Sequence, residues 1–162
     1  MAGEQGEKRA PFVIEWRGAF KINIEEIDAE HRQLFALVKA LDISSIDVAL
    51  EKLLDYVVTH FTNEQSLMEN SGYPAFEQHL KLHEEFSIFV GEFLSNSSEW
   101  TEERVYELRR FLNKWLIGHI LTHDMRFGKW YGSHRNHHAQ HPMAENKPRR
   151  GLLARLLGIH PR

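Results

Sequence analysis

Two pairs of potential metal ligands are each spaced four residues apart in the sequence. His60 precedes Glu64, and His79 precedes His83. Four residues advance an α-helix by about 400°, so the members of each pair leave one helix face, one turn apart. That face also carries apolar residues in both segments, which predicts that the pairs point inward. Because buried imidazoles and carboxylates need partners, the pattern favours a buried metal site.

Three further residues could complete such a site. His31 and His119 lie in other amphipathic segments and add two imidazoles. Asp124 follows His119 by five residues, which on a straight helix places the two side chains about 140° apart. A metal shared by these two therefore requires their side chains to converge or the helix to be locally distorted. Spacing alone does not select Asp124.

Apolar periodicity around these residues predicts helices with recognisable ends. The first helix follows Asp28, a favourable N-cap, and the second starts near Ser45 and stops at residues 70–72. Pro74 suits the first turn of the third helix, which ends at residues 96–98. These boundaries place His60 and Glu64 on the second helix and His79 and His83 on the third.

A fourth helix opens at residues 101–103 and ends near Tyr131. The connections between helices are short, which predicts that successive helices are antiparallel neighbours. No segment shows the alternation of a β-strand. The sequence therefore predicts an all-α, up-down-up-down antiparallel four-helix bundle with a C-terminal extension and an irregular N-terminal arm that carries Phe12, Ile14, Trp16 and Phe20.

Charge and composition separate this bundle from both ends of the chain. Residues 1–131 carry 14 basic and 22 acidic groups, whereas residues 132–162 carry 6 and 1. We expect a flexible N-terminus over residues 1–11, one domain over residues 12–131 and a basic, histidine-containing tail over residues 132–162. The formal charge of -3 argues against nucleic-acid binding. A polar N-terminus and the lack of a long apolar run predict a cytoplasmic protein.

Four short motifs resemble the bacteriohemerythrins, bacterial relatives of the oxygen-carrying hemerythrins with a non-haem di-iron centre. The motifs are Ile27-Asp28-Ala29-Glu30-His31, His60-Phe61-Thr62-Asn63-Glu64, His79-Leu80-Lys81-Leu82-His83 and His119-Ile120-Leu121-Thr122-His123-Asp124. The resemblance covers about residues 12–131. It implies two iron ions, one held by His79, His83 and His119 and the other by His31 and His60, with Glu64 and Asp124 bridging both.

The same resemblance implies how O2 would bind. Five imidazole bonds, four carboxylate bonds and two bonds from a solvent-derived oxo or hydroxo bridge fill eleven of the twelve positions of two octahedral irons. The open position lies on the two-histidine iron, where O2 would bind and leave again if water is excluded. The resemblance implies an apolar wall that excludes water from the O2 site. The residues expected to form this wall are Leu34, Phe61, Trp115, Leu116 and Ile120.

The donor set favours a binding protein over an enzyme. Ferritin-like di-iron proteins use about four carboxylates and two histidines, whereas this chain offers five histidines and two carboxylates. Neutral donors hold ferrous iron and allow O2 to leave, which suits oxygen storage, delivery or sensing. A di-iron oxidase, a protein that handles peroxide or nitric oxide, and an iron-binding protein remain alternatives. Seven inward ligands are too many for a structural zinc site, and the chain has no cysteine.

Other polar residues lie outside this ligand set. We expect His123 to form a hydrogen bond at the bundle edge, with a role as an alternative ligand left open, and Gln65 to be exposed and of little consequence. Residues 134–141 are expected to form a solvated linker. Within residues 149–160, a short amphipathic helix could dock on a partner protein, an anionic membrane or the bundle itself through Leu152, Leu153, Leu156 and Leu157.

Acid is expected to remove the metal. Protons compete with iron for five imidazoles, so the iron content should decline as the pH falls well below 6. Elemental analysis after gel filtration at pH 7 and at pH 4 measures this loss. Full retention of iron at pH 4 would contradict ligation by histidine.

Overall fold

The computed structural model describes residues 13–96 and 99–138, with side chains described through Arg135. A π-helical turn, Ile120–Asp124, joins the last two helices into one continuous rod. Short 3-10 turns lie at Gly18–Phe20 and Ile43–Ser45. The helices within the described residues are α1 (Glu25–Lys39), α2 (Ile46–Ser71), α3 (Phe76–Ser95), α4 (Glu102–His119) and α5 (Met125–His138).

These helices pack as a four-helix bundle, which confirms the predicted fold class. Helix α2 packs against α1 and α3, and α1 also packs against α4. Because the connections are short, α1, α2, α3 and the continuous rod of α4 and α5 run antiparallel in succession. The described residues contain no β-strand. Among the helices they form, none has the length and apolar character needed to cross a membrane.

Local backbone chemistry sets two of the predicted helix ends. The Thr101 hydroxyl accepts a hydrogen bond from the N–H of Arg104 at 3.1 Å, so α4 starts with a side-chain cap. Gly72 ends α2 with a φ of 70°, a left-handed conformation that glycine adopts at little cost. The N–H of Tyr73 then bonds to the carbonyl of Met68 at 3.0 Å, which satisfies the last turn.

Asp28 has a different role from the predicted N-cap. Helix α1 begins at Glu25, and Asp28 lies one turn inside it. Its buried carboxylate accepts hydrogen bonds from the backbone N–H groups of Ile22 and Asn23, at 2.8 and 3.1 Å. Asn23 has a φ of 64°, which asparagine tolerates better than most residues. The carboxylate therefore fixes the turn through which the N-terminal arm enters α1.

The N-terminal arm packs against the bundle beside one of the predicted metal ligands. Phe20 stacks on Phe35 of α1 with ring centroids 5.6 Å apart. The ring centroid of Trp16 lies 6.0 Å from that of Phe35 and 6.2 Å from that of His31. The arm thus covers His31 with aromatic side chains and helps to keep it fully buried.

Helix α5 extends further than the sequence indicated. It continues to His138 instead of ending near Tyr131, so the predicted linker at residues 134–141 is wrong for its first residues. The ring of His134 stacks on Trp130 with centroids 4.6 Å apart, a contact that only a continued helix makes. Stacking along one helix face therefore carries the helix past the expected end.

Two predictions about the ends of the chain concern residues that the structure does not describe. The flexible segment at residues 1–11 and the amphipathic segment at residues 149–160 both lie outside the described residues. These segments and the domain boundaries at residues 12–131 stay predictions.

Two helical glycines should respond oppositely to alanine. Gly91 in α3 has open space at its Cβ position, so Gly91→Ala should stabilise the protein by about 0.5–1 kcal/mol through helix propensity. A Cβ on Gly128 in α5 would overlap the carbonyl oxygen and side chain of Ile22, so Gly128→Ala should destabilise it by about 1–3 kcal/mol. Urea unfolding of both variants measures the difference, and equal effects would contradict the close approach.

Candidate metal centre

Seven polar side chains converge at the middle of the bundle, drawn from α1, α2, α3, α4 and the π-helical turn. Each is at most 5% exposed. They form two overlapping groups that share Glu64, and within each group the nearest potential ligand atoms lie within 4.8 Å of one another. The structure thus brings together all seven candidates, with Glu64, His79, His83 and His119 in one group and His31, His60, Glu64 and Asp124 in the other.

The three histidines of the first group form a nearly equilateral triangle. The Nε2 atoms of His79, His83 and His119 are each 3.1 Å from the other two. Aromatic side chains stack on two of these rings. The ring centroids of Phe61 and His83 are 3.7 Å apart with parallel planes, and those of Trp115 and His119 are 4.4 Å apart. Three imidazole nitrogens that face one point cannot all satisfy each other with hydrogen bonds, whereas a cation at that point would satisfy all three.

The size of this triangle suits a bound metal ion. A point about 2 Å from all three nitrogens, on edges of 3.1 Å, lies at the usual length of a metal–imidazole bond. The residues present therefore fit a metal ion on this side of the site.

Two carboxylates lie between the histidines of the two groups. Glu64 Oε2 lies 3.0 Å from Nε2 of His79 and 3.3 Å from Nε2 of His83. Asp124 Oδ1 lies 3.0 Å from Nε2 of His119, while its other oxygen lies 3.1 Å from Nε2 of His31. Asp124 thus reaches histidines of both groups, as expected for a residue that bridges two metal ions.

The π-helical turn explains how Asp124 reaches this position. The N–H of Met125 bonds to the carbonyl of Ile120, five residues back instead of four. A π-helical turn holds about 4.4 residues, so five residues bring His119 and Asp124 to within about 50° of one face. The local distortion that the spacing of these two residues required is therefore present, and it lies between them.

Electrostatics keep both carboxylates ionised. Burial raises the pKa of Glu64, but hydrogen bonds from His79 and His83 outweigh it and hold that pKa well below the usual range. Burial and the charge of Glu64 raise the pKa of Asp124, yet His119 and His31 lower it overall. Burial lowers the pKa of His83 to about 3, so its imidazole is neutral at pH 7.

Several buried polar atoms of the centre have no hydrogen-bond partner among the described residues. They are both ring nitrogens of His31, one oxygen of Glu64 and both oxygens of Asp124. Such atoms cost about 1–3 kcal/mol each when they stay unsatisfied, and more when charged. The residues that carry them all belong to the second group of candidate ligands, so a metal ion held there would satisfy several of these atoms together. The donor set therefore fits a buried metal centre.

Glu30 supports one histidine of the centre and was not identified from the sequence beyond its place in a motif. Nδ1–H of His60 donates to Glu30 Oε2 at 2.7 Å, and the Asn63 amide donates to the other oxygen at 2.6 Å. A histidine that donates from Nδ1 has its Nε2 lone pair free for a metal. Glu30 therefore fixes both the tautomer and the ring orientation of His60.

Gln65 also contacts a histidine of the centre, so the expectation that it is exposed and of little consequence is wrong. It is half-buried, and its amide lies 3.0 Å from Nδ1 of His83. Rotating the amide by 180° places its carbonyl oxygen to accept from Nδ1–H, which leaves Nε2 of His83 for a metal. The contact joins α2 to α3, and the spacing of residues along one helix could not indicate it.

A small apolar cavity of about 20 Å³ lies beside the centre. Leu34, Phe61, Trp115 and Leu116, four of the five residues expected around O2, line it, and Phe61 and Trp115 also stack on histidines of the centre. Ile120 is fully buried in the π-helical turn but does not line this cavity. The remaining lining residues are all apolar: Val38, Leu53, Val57, Phe86 and Leu112.

His123 lies next to the centre but belongs to neither group. It is half-buried, and its ring centroid is 5.4 Å from that of His119 and 6.4 Å from that of His79. Burial, together with His119 and His79, lowers the pKa of its imidazole. The side chain stays at the edge of the bundle, facing a separate cavity.

Removing the support of His60 should weaken metal binding. Glu30→Ala should lower the metal affinity by about 10–100-fold, as the loss of a partner behind a ligating histidine does elsewhere. Glu30→Gln keeps an acceptor oxygen and should retain most of the affinity. Competition with a chelator measures both variants, with Glu51→Ala on the exposed face of α2 as the control. Equal affinity for Glu30→Ala and Glu51→Ala would contradict this role.

Comparison with known proteins places the chain in a family. Residues 22–131 match the family model described as the hemerythrin HHE cation binding domain. A bacteriohemerythrin of Stenotrophomonas maltophilia is 28% identical over 79% of this chain and 88% of its own length. A hemerythrin-like protein of Naegleria gruberi is 31% identical, and a myohemerythrin of Theromyzon tessulatum 30%, each over 72% of this chain and 92% of its own length. This chain belongs to the hemerythrin family.

Proposed function

We propose that this protein binds O2 reversibly at a centre of two iron ions held by the seven converging side chains, and that it is a binding protein and not an enzyme. The observation that supports the proposal is the pairing of this buried, histidine-rich centre with an apolar cavity at its side. Bound iron would supply the electrons and the open coordination position that O2 needs. Relatives named bacteriohemerythrin and myohemerythrin agree with the proposal.

The side chains would hold the two ions in different ways. His79, His83 and His119 would hold one ion and His31 and His60 the other, while Glu64 and Asp124 would bridge both. The Nε2 atom of His60 faces the second group because Glu30 accepts from its Nδ1–H. The second ion would have two histidine ligands, whereas the first would have three. The second ion would therefore keep the coordination position to which O2 binds.

The apolar cavity would keep water away from the bound gas. A cavity needs about 10–15 Å³ to hold one water molecule, so about 20 Å³ accommodates a molecule the size of O2. Its wall consists of aliphatic and aromatic side chains, and apolar cavities of this kind stay dry. Excluding water and protons suppresses the irreversible oxidation that would compete with release of O2.

Stopped-flow mixing of the reduced, iron-loaded protein with O2 tests the proposal. A stable coloured adduct that disappears under vacuum and forms again in air is the expected result. Immediate oxidation with release of peroxide would indicate an oxidase, and one zinc per chain without iron would indicate a structural site. Either result would overturn the proposal.

A polar group in the cavity should shorten the life of the O2-bound form. Leu116→Asn places an amide in the apolar wall and admits water, so the adduct should decay about tenfold faster or more, a loss of about 1.4 kcal/mol of barrier. Ile88→Asn, an exposed position of α3, is the matched control and should leave the decay rate unchanged. The decay of visible absorbance measures both, and equal rates would contradict the role of the dry wall.

A further inference from the structure

A second cavity opens to solvent, and polar side chains line it, in contrast to the apolar cavity described above. Its volume is about 210 Å³, and it lies between the first turns of α3 and the π-helical turn with the start of α5. The ring of His79 forms part of its wall, so the cavity reaches from solvent to a residue of the metal centre. Ala75 and Leu82 supply apolar wall, and the polar side chains are Tyr73, Gln78, His123 and Arg126.

The polar side chains of this cavity are rich in hydrogen-bond donors and include no carboxylate. Arg126 contributes five N–H donors and a permanent charge, Gln78 an amide, and His123 and Tyr73 one donor each. Burial raises the pKa of Tyr73, and the charge of Arg126 opposes that rise while Asp124 and Glu64 add to it. Among the described residues, Arg126 forms no ion pair.

Another polar cavity of the described residues offers a useful contrast. It has a similar volume, about 220 Å³, and its cations Lys21 and Arg32 face the carboxylates of Glu25 and Asp28. Positive and negative groups are balanced there within the protein. The wall of the cavity beside His79 has no carboxylate, so the exposed guanidinium of Arg126 is available to an anionic ligand.

We propose that the cavity beside His79 binds a small oxyanion, such as an inorganic anion of the sulfate type or a short carboxylate. The bidentate guanidinium of Arg126 would hold the oxygen atoms, with Gln78 and His123 as further donors. The volume is several times the about 30 Å³ share of a water molecule and below the about 300–1,000 Å³ of drug-sized sites, which suits a small anion. A metal cation is disfavoured by Arg126.

The position of this site links it to the metal centre through one side chain. His79 lines the cavity and also belongs to the first metal group. An anion bound there would contact the outer face of a residue whose inner nitrogen faces the centre. Binding at the two sites would therefore be coupled, and such coupling is reciprocal.

Titration calorimetry with sodium sulfate tests the proposal on the protein as isolated with its metal, at constant ionic strength and pH 7. We expect one saturable site, at least about tenfold weaker in Arg126→Gln. Arg110→Gln removes an equal charge from an exposed position of α4 and should bind sulfate as the unchanged protein does. Because no O2 is used, this result is independent of whether the centre carries oxygen.

Three outcomes would overturn the proposal. The first is the absence of saturable sulfate binding at millimolar concentrations. The second is equal binding by the unchanged protein and Arg126→Gln. The third is equal weakening by Arg126→Gln and Arg110→Gln, which would show that net charge and not this cavity attracts the anion.

Discussion

The burial of two ionised carboxylates at the middle of the bundle is the constraint on which the rest of the structure depends. Glu64 and Asp124 are fully buried, and taking each charge out of water costs several kcal/mol unless positive charge lies beside it. The response of His79 shows the same demand: burial lowers its pKa, but the two carboxylates raise it above its usual value. The carboxylates thus favour the protonated form of His79, and a bound metal ion would supply positive charge at the same place.

The π-helical turn shows how the helices adapt to that constraint. A straight helix would place His123, four residues after His119, on the inner face and turn Asp124 away. One extra residue in the turn brings Asp124 inward and leaves His123 at the edge. The same rotation sets the face that α5 presents further on, where Phe127 is fully buried and Gly128 meets the arm.

The sequence predicted the parts of the site that depend on helical geometry alone. The pairs at four-residue spacing, the helix ends at Gly72 and Thr101, and the four-helix architecture follow from local rules. Asp124 was selected only through its place in a family motif, because a π-helical turn has no simple local signal.

The supporting contacts of Glu30 and Gln65 cross from one helix to the next. Glu30 meets His60 of α2, and Gln65 meets His83 of α3. No periodicity along one helix predicts such a contact, because it depends on how far neighbouring helices are offset along their axes. Asp28 was misplaced for a related reason, since its carboxylate serves the backbone of the arm before it and not the end of its own helix.

The close approach of Ile22 to Gly128 has a kinetic consequence. It closes a loop of 106 residues, which costs about 4 kcal/mol of chain entropy before any contact repays it. A contact with so large a sequence separation slows folding, because the loop must close before the contact forms. His31 lies behind the arm and Asp124 directly before α5, so a local opening of these two segments would expose the centre. We therefore expect the rate of metal release to depend on the local opening of the arm and α5 and not on the global unfolding of the bundle.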